Sequence, residues 1–150
     1  MARKKIHRLS VYLLDPQRKK VLLRKEAKGP YAGLYTALSI PLQQSLNPME
    51  TIRALIGQIG KMRFKFLGHG SAMPVVLDEN SVKLFPPLHV QLTVAGEGTE
   101  YVDFVYLTQL EEAASLPGAN GLAWIDAESA ADCPAYVRAV LHQIFALLGE

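Results

Sequence analysis

The chain has a single cysteine, Cys133, among its 150 residues. No internal disulfide can form and a cysteine-based zinc site is excluded. A reducing, cytoplasmic setting is the expectation. Long apolar runs are missing too: none approaches the ~20 residues that a membrane-spanning helix needs. The basic opening MARKKIHRLSVYLLDP holds only a short apolar run broken by polar residues, unlike a secretory leader. His7, His69, His89 and His142 show no ligand spacing such as H-x3-H and read as structural or solvated. Ser10, Ser39 and Ser45 have no His/Asp pattern beside them that would mark a nucleophile. Between Ser39 and Lys61 the sole acid is Glu50. No repeat, low-complexity tract or linker interrupts the sequence, so residues 1–150 read as one domain with a basic N-terminal arm at 1–5.

The composition is that of a globular chain, 49% hydrophobic and 20% charged, long enough to bury one sizeable core. The net charge of +2 conceals an asymmetry, +8 over residues 1–28 and −6 over the rest. A basic arm on an acidic body attracts phosphates or nucleic acid. Here no aromatic residues interleave with the basic ones as stacking platforms, so a solvated terminus and a charged turn are expected instead of a nucleic-acid site.

Local patterns place the elements. His7–Leu14 and Val21–Arg24 read as a hairpin around the turn residues Asp15-Pro16-Gln17. AKGPYAG (27–33) is a loop, and 34–42 is extended up to Pro41. Asn47 then caps a helix, with Pro48 at its first position and Glu50 three residues after the cap. Ile52, Leu55, Ile56 and Ile59 form its apolar face, and Gly60 stops it. RFKFLGHG and SAMPVVL offer one or two strands before a turn at Asp78-Glu79-Asn80. Leu88–Val94 and Tyr101–Leu107 are strands joined by a Gly-rich hairpin. GLAWI (121–125) is a short strand, and Ala135–Leu148 is an amphipathic helix with Val137, Val140, Leu141, Ile144, Phe145 and Leu148 on one stripe. Strands and helices in this order predict a mixed sheet covered by helices on its faces.

The segment SIPLQQSLNPMETIRALIGQIGK (39–61) resembles the Nudix signature G-x5-E-x7-R-E-U-x-E-E-x-G-U, where U is a bulky aliphatic. With Arg53 on the signature arginine, Leu55 takes the first aliphatic position and Gly60 the second glycine. Ser39 and Ser45 stand at the first glycine and first glutamate. Ala54, Gly57 and Gln58 replace the three helix glutamates, and Lys61 the last aliphatic. The flanks are similar as well. The opening hairpin leads to a basic residue (Arg24 or Lys25) and to the aromatic Tyr35. PPLHVQLTVAGEGTEYVDFVYLTQL looks like the paired strands after the signature helix, and GLAWIDAESAADCPAYVRAVLHQIFALL like the closing strand, acidic turn and helix.

This resemblance implies an α/β fold, a Nudix-like α/β/α sandwich with a mixed β-sheet and two main helices. Family members hydrolyse a diphosphate linked to another moiety, using Mg2+ or Mn2+ held by the helix glutamates. Mg2+ takes hard oxygen ligands, and alanine and glycine offer none. A degenerate member without metal and without metal-dependent pyrophosphohydrolase activity is therefore expected. It would bind a nucleotide-like ligand, a protein partner or a second copy, with Arg24, Lys25, Tyr35, Arg53 and Gln58 as the ligand-binding residues. The alternative is an active hydrolase with Mg2+ or Mn2+ on relocated carboxylates. Glu50 is one candidate acid, although a capping-box role suits it better. Asp103 is another, with Glu97, Glu100, Glu111 and Glu112 around it, against the plainer reading of a solvated edge hairpin. Tyr31, Tyr35 and Phe85 are candidates to line a cleft, though aromatics in such places are more often core or rim.

Overall fold

The computed structural model describes residues 4–42, 47–68, 75–94, 98–113 and 121–149. The chain runs β1 (Lys4–Leu14), β2 (Val21–Lys25), β3 (Tyr35–Thr36), β4 (Leu38–Pro41), α1 (Pro48–Ile59), β5 (Phe64–Phe66), β6 (Val75–Asp78), β7 (Ser81–Lys83), β8 (His89–Val94), β9 (Thr99–Leu110), β10 (Leu122–Ile125) and α2 (Ala135–Leu147). Ser45, His69 and Glu97 lie outside the described residues.

The spine of the main sheet is β10-β2-β1-β9-β5, with β3 on β2, β4 on β1 and β8 on β9. β1 and β9 run parallel, from Lys4 opposite Thr99 to Leu14 opposite Gln109. The other pairings are antiparallel, so the sheet is mixed as expected. Alternation along β1 divides the core. Leu9, Val11 and Leu13 pack with Ile52, Leu55 and Ile56 of α1. Tyr12 and Leu14 pack on the opposite face with Val137, Val140 and Ile144 of α2. Helix, sheet and helix thus form three layers. Among the described residues no helix is long and apolar enough to cross a membrane.

Helix α1 begins where the sequence signals it. The Asn47 side chain accepts from Glu50 N–H at 2.9 Å, and the Glu50 carboxylate accepts from Asn47 N–H at 3.4 Å. This reciprocal pair satisfies two of the donors that a helix start leaves orphaned. Gly60 forms the C-terminal cap. Gly57 lies on the exposed side, and a Cβ there would meet nothing within 4 Å. Gly57→Ala is therefore expected to raise stability by about 0.5–1 kcal/mol, since only chain entropy changes. A urea melt measures it, and a loss of stability would mean that the open space is not real.

Strands and turns also fall close to expectation, with three differences. β1 begins at Lys4 instead of His7, so Lys4 and Lys5 of the expected N-terminal arm belong to the strand, opposite Thr99 and Glu100 of β9. β9 is longer than Tyr101–Leu107, because pairing with β1 recruits residues at both ends. β6 and β7 form a separate two-stranded ribbon around the turn after Asp78. The second of these, Ser81–Lys83, has too little local pattern to be read as a strand.

Candidate functional site

β1 and β2 touch only at Leu13–Leu22 and Leu14–Val21. Beyond these pairs β3 continues beside β2, and β4 beside β1. A cleft of about 420 Å³ opens where the strands part. Four cationic side chains line it, Arg8 from β1, Arg24 and Lys25 from β2, and Lys28 from the following loop, against one carboxylate, Glu26. Thr36, Ser39, Thr93, Tyr31, Tyr101 and Tyr136 complete its polar wall. Arg8 is charge-compensated by Asp103, so Arg24, Lys25 and Lys28 against Glu26 leave the excess of positive charge, which in a concave site favours an anion.

The loop is held by its own backbone. Glu26 N–H donates to Leu34 O at 2.8 Å, and Gly33 N–H returns the bond to Glu26 O at 2.8 Å. Gly29 and Gly33 sit at φ +88 and +84, where side chains are strained. The tip therefore presents Lys28 and Tyr31 to the cleft. Tyr31 packs against Tyr136 of α2, ring centroids 5.3 Å apart. Burial pushes the Tyr136 hydroxyl well above the usual tyrosine range, favouring its neutral O–H form.

Arg8 is fixed from behind by Asp103. Its Nε donates to Asp103 Oδ1 at 2.6 Å and its Nη2 to Oδ2 at 2.9 Å. Ser10 Oγ donates to Oδ1 at 3.1 Å and Thr93 Oγ1 to Oδ2 at 2.7 Å. The Arg8 guanidinium also lies 3.9 Å from the centre of the Tyr101 ring. Burial pulls the Arg8 pKa down, but the Asp103 hydrogen bonds and charge more than offset this and raise it. Asp103 itself is fully buried. For Asp103 this corrects the reading of a solvated edge, since the carboxylate is shut away from solvent and has its acceptor sites filled, whereas Glu111 and Glu112 are exposed.

The remaining candidates separate. Arg24 and Lys25 line the cleft, and Tyr35 lies beneath Lys25, 6.0 Å from Nζ to the ring centre. Arg53 and Gln58 stand on the exposed side of α1 and are not among the lining residues. The Arg53 guanidinium lies 5.7 Å from the Phe66 ring centre. Phe85 is buried in the α1-side core, whereas Tyr31 does line the cleft. Arg8, Thr36, Tyr101 and Tyr136 were not singled out by sequence. The faint signal for Arg8 was R-x-S on a strand whose next alternate residues, Tyr12 and Leu14, are core.

No protein-family model matches the sequence, and no curated protein sequence matches it. Solved structures do match. A Nudix-family hydrolase from Clostridium perfringens is 17% identical, with a TM-score of 0.71 over 97% of this chain and 99% of that one. The fold is that of the Nudix superfamily. A UDP-X diphosphatase aligns at 12% identity and TM-score 0.61, over 99% of this chain and 66% of that one. The C-terminal domain of mouse MUTYH, solved in complex with human PCNA, aligns at 15% identity and TM-score 0.58, over 97% and 90%.

The signature resemblance implies that a metal, if one were held, would sit on α1. Ala54, Gly57 and Gln58 are all exposed on it, and among them they offer one neutral carbonyl oxygen. Glu50, one turn earlier, gives one oxygen to a long helix-cap bond and by itself supplies a single carboxylate. Among the described residues no group of three or more His, Cys, Asp or Glu is placed to hold a metal ion. This donor set does not fit Mg2+ or Mn2+, which take several hard oxygen ligands including carboxylates.

Proposed function

We propose that this Nudix-fold protein, a single domain over residues 1–150, binds a phosphate-bearing, nucleotide-like ligand without metal and has no metal-dependent pyrophosphohydrolase activity. The observation that carries the reading is the cleft itself, with Arg8, Arg24, Lys25 and Lys28 around about 420 Å³. In a metal-dependent hydrolase a divalent cation neutralises much of the diphosphate charge. Here side-chain cations do so, and Arg8 is held ready by Asp103 before any ligand arrives. Tyr31 supplies a ring for stacking a base. The similar C-terminal domain of mouse MUTYH was solved in complex with human PCNA, which supports a binding role.

The test is calorimetric titration with nucleoside di- and triphosphates in EDTA and again in Mg2+. Binding in EDTA is expected, weakening with salt. Arg24→Ala should lower the affinity by about tenfold to a hundredfold, the worth of a charge-assisted hydrogen bond. Arg53→Ala and Gln58→Ala measure the helix's share, and losses of the same size would extend the ligand along α1. Hydrolysis of a mixed panel of nucleoside triphosphates, nucleotide sugars and dinucleotides is assayed in parallel. Metal-dependent turnover would overturn the proposal and mean that the carboxylates have moved.

A further inference from the structure

Strand β8 is patterned inside out. His89, Gln91 and Thr93 point toward the buried network: His89 Nε2 lies 2.7 Å from Gln91 Oε1, Gln91 Nε2 donates to Thr93 Oγ1 at 3.1 Å, and Thr93 Oγ1 donates to Asp103. The alternate residues Val90, Leu92 and Val94 are left 53%, 63% and 42% exposed. A strand with one wet face ordinarily shows the reverse pattern, because a one-residue shift would bury the apolar set. The hydrogen bonds to Gln91, Thr93 and Asp103 hold the register that exposes it.

β8 is also an open edge. It pairs with β9 on one side, and among the described residues no strand pairs with its other side. Edge strands are usually blunted by charge, proline, bulges or shortness. Other edges here have such devices, and β10, which has neither charge nor proline, is only four residues long. β5 carries Lys65, β4 ends in Pro41, β3 has two residues, and the β6–β7 ribbon has Asp78, Lys83 and an irregular register. β8 is six residues long, uncharged at neutral histidine and free of proline.

From these features we infer that β8 is the dimerisation strand, pairing antiparallel with β8 of a second copy about a two-fold axis at Leu92. The sequence Val90-Gln91-Leu92-Thr93-Val94 is palindromic in polarity. Antiparallel pairing sets Val90 opposite Val94, Gln91 opposite Thr93, and Leu92 opposite Leu92. Such an isologous contact needs a self-complementary surface. This one opposes no like charges, and it joins the exposed apolar residues of both copies into a single stripe. An acidic or basic peptide would find no charge on β8 to pair with, which favours the second copy over a charged partner. The inference is independent of what the cleft binds.

Sedimentation across micromolar concentrations tests it, with circular dichroism to confirm folding. The parent protein should sediment as a dimer. Val90→Lys/Val94→Lys places like charges opposite each other twice, and should weaken the dimer on the order of a hundredfold. Val90→Glu/Val94→Lys places Glu opposite Lys twice and should restore it. All three side chains stand exposed, so the monomer fold tolerates these changes. A parent protein that remains monomeric overturns the inference, as does a dimer indifferent to the double lysine variant. Failure of the Glu/Lys variant to dimerise overturns the antiparallel register.

Discussion

Asp103→Ala is expected to destabilise the protein by about 3–5 kcal/mol, the range for breaking a buried ion pair from one side. The cause is what the change leaves behind. The Arg8 guanidinium, whose side chain is 15% exposed, loses two hydrogen bonds and its counter-charge. The hydroxyls of Ser10 and Thr93 lose their acceptor as well. Buried donors without acceptors cost more than the same groups removed together. Arg8→Met/Asp103→Leu should therefore recover the share of the loss due to Arg8 in a urea melt, while Ser10 and Thr93 still lack their acceptor. Ligand titration of that double variant then separates the two roles of the pair. If Asp103→Ala melts within 1 kcal/mol of the parent, roughly the effect of an ordinary surface change, the burial of this network is wrong.

The second large effect is a gain. Ala54→Glu/Gly57→Glu/Gln58→Glu puts three carboxylates on the open side of α1, at i, i+3 and i+4. The room exists, since those positions are exposed and nothing lies within 4 Å of a Cβ at Gly57. Without metal the variant should lose a few tenths of a kcal/mol per neighbouring pair from like-charge repulsion. With Mn2+ at a hundred times its dissociation constant it should gain about 2.7 kcal/mol by mass action. The parent, which presents no such carboxylates, should show no comparable metal-dependent shift in its melting temperature. A triple variant that ignores Mn2+ would sink the reading of α1 as a metal helix stripped of its ligands.

What could be read before the structure was local. Asn47, Pro48, Glu50 and Gly60 mark both ends of α1 because capping chemistry involves residues within a few positions of one another. The apolar stripe of α2 was legible for the same reason. The cleft was legible only in part. Arg24 and Lys25 were visible as basic residues ending a strand, and they do line it. Arg8 and Asp103 were not visible as a pair, because they are separated by 95 positions and meet only through the β1–β9 register. Nor does alternation alone tell which side of β8 faces inward. Three β-favouring apolar residues would by themselves have taken the core side, and Asp103 decides otherwise by binding Thr93.

The parallel pairing of β1 with β9 has a temporal side. Each residue of β1 meets a partner made 95 positions later. At about 5–20 residues per second, a ribosome needs roughly 5–20 s to deliver β9 after β1. Through that interval the centre of the sheet lacks a neighbour on one side, and Leu9, Val11 and Leu13 have only local company. Contacts so distant in sequence also slow the final closure. For a newborn chain, the most exposed moment comes just before β9 emerges, when β1 to β4 can already pair but β5 and β8 have no strand to join.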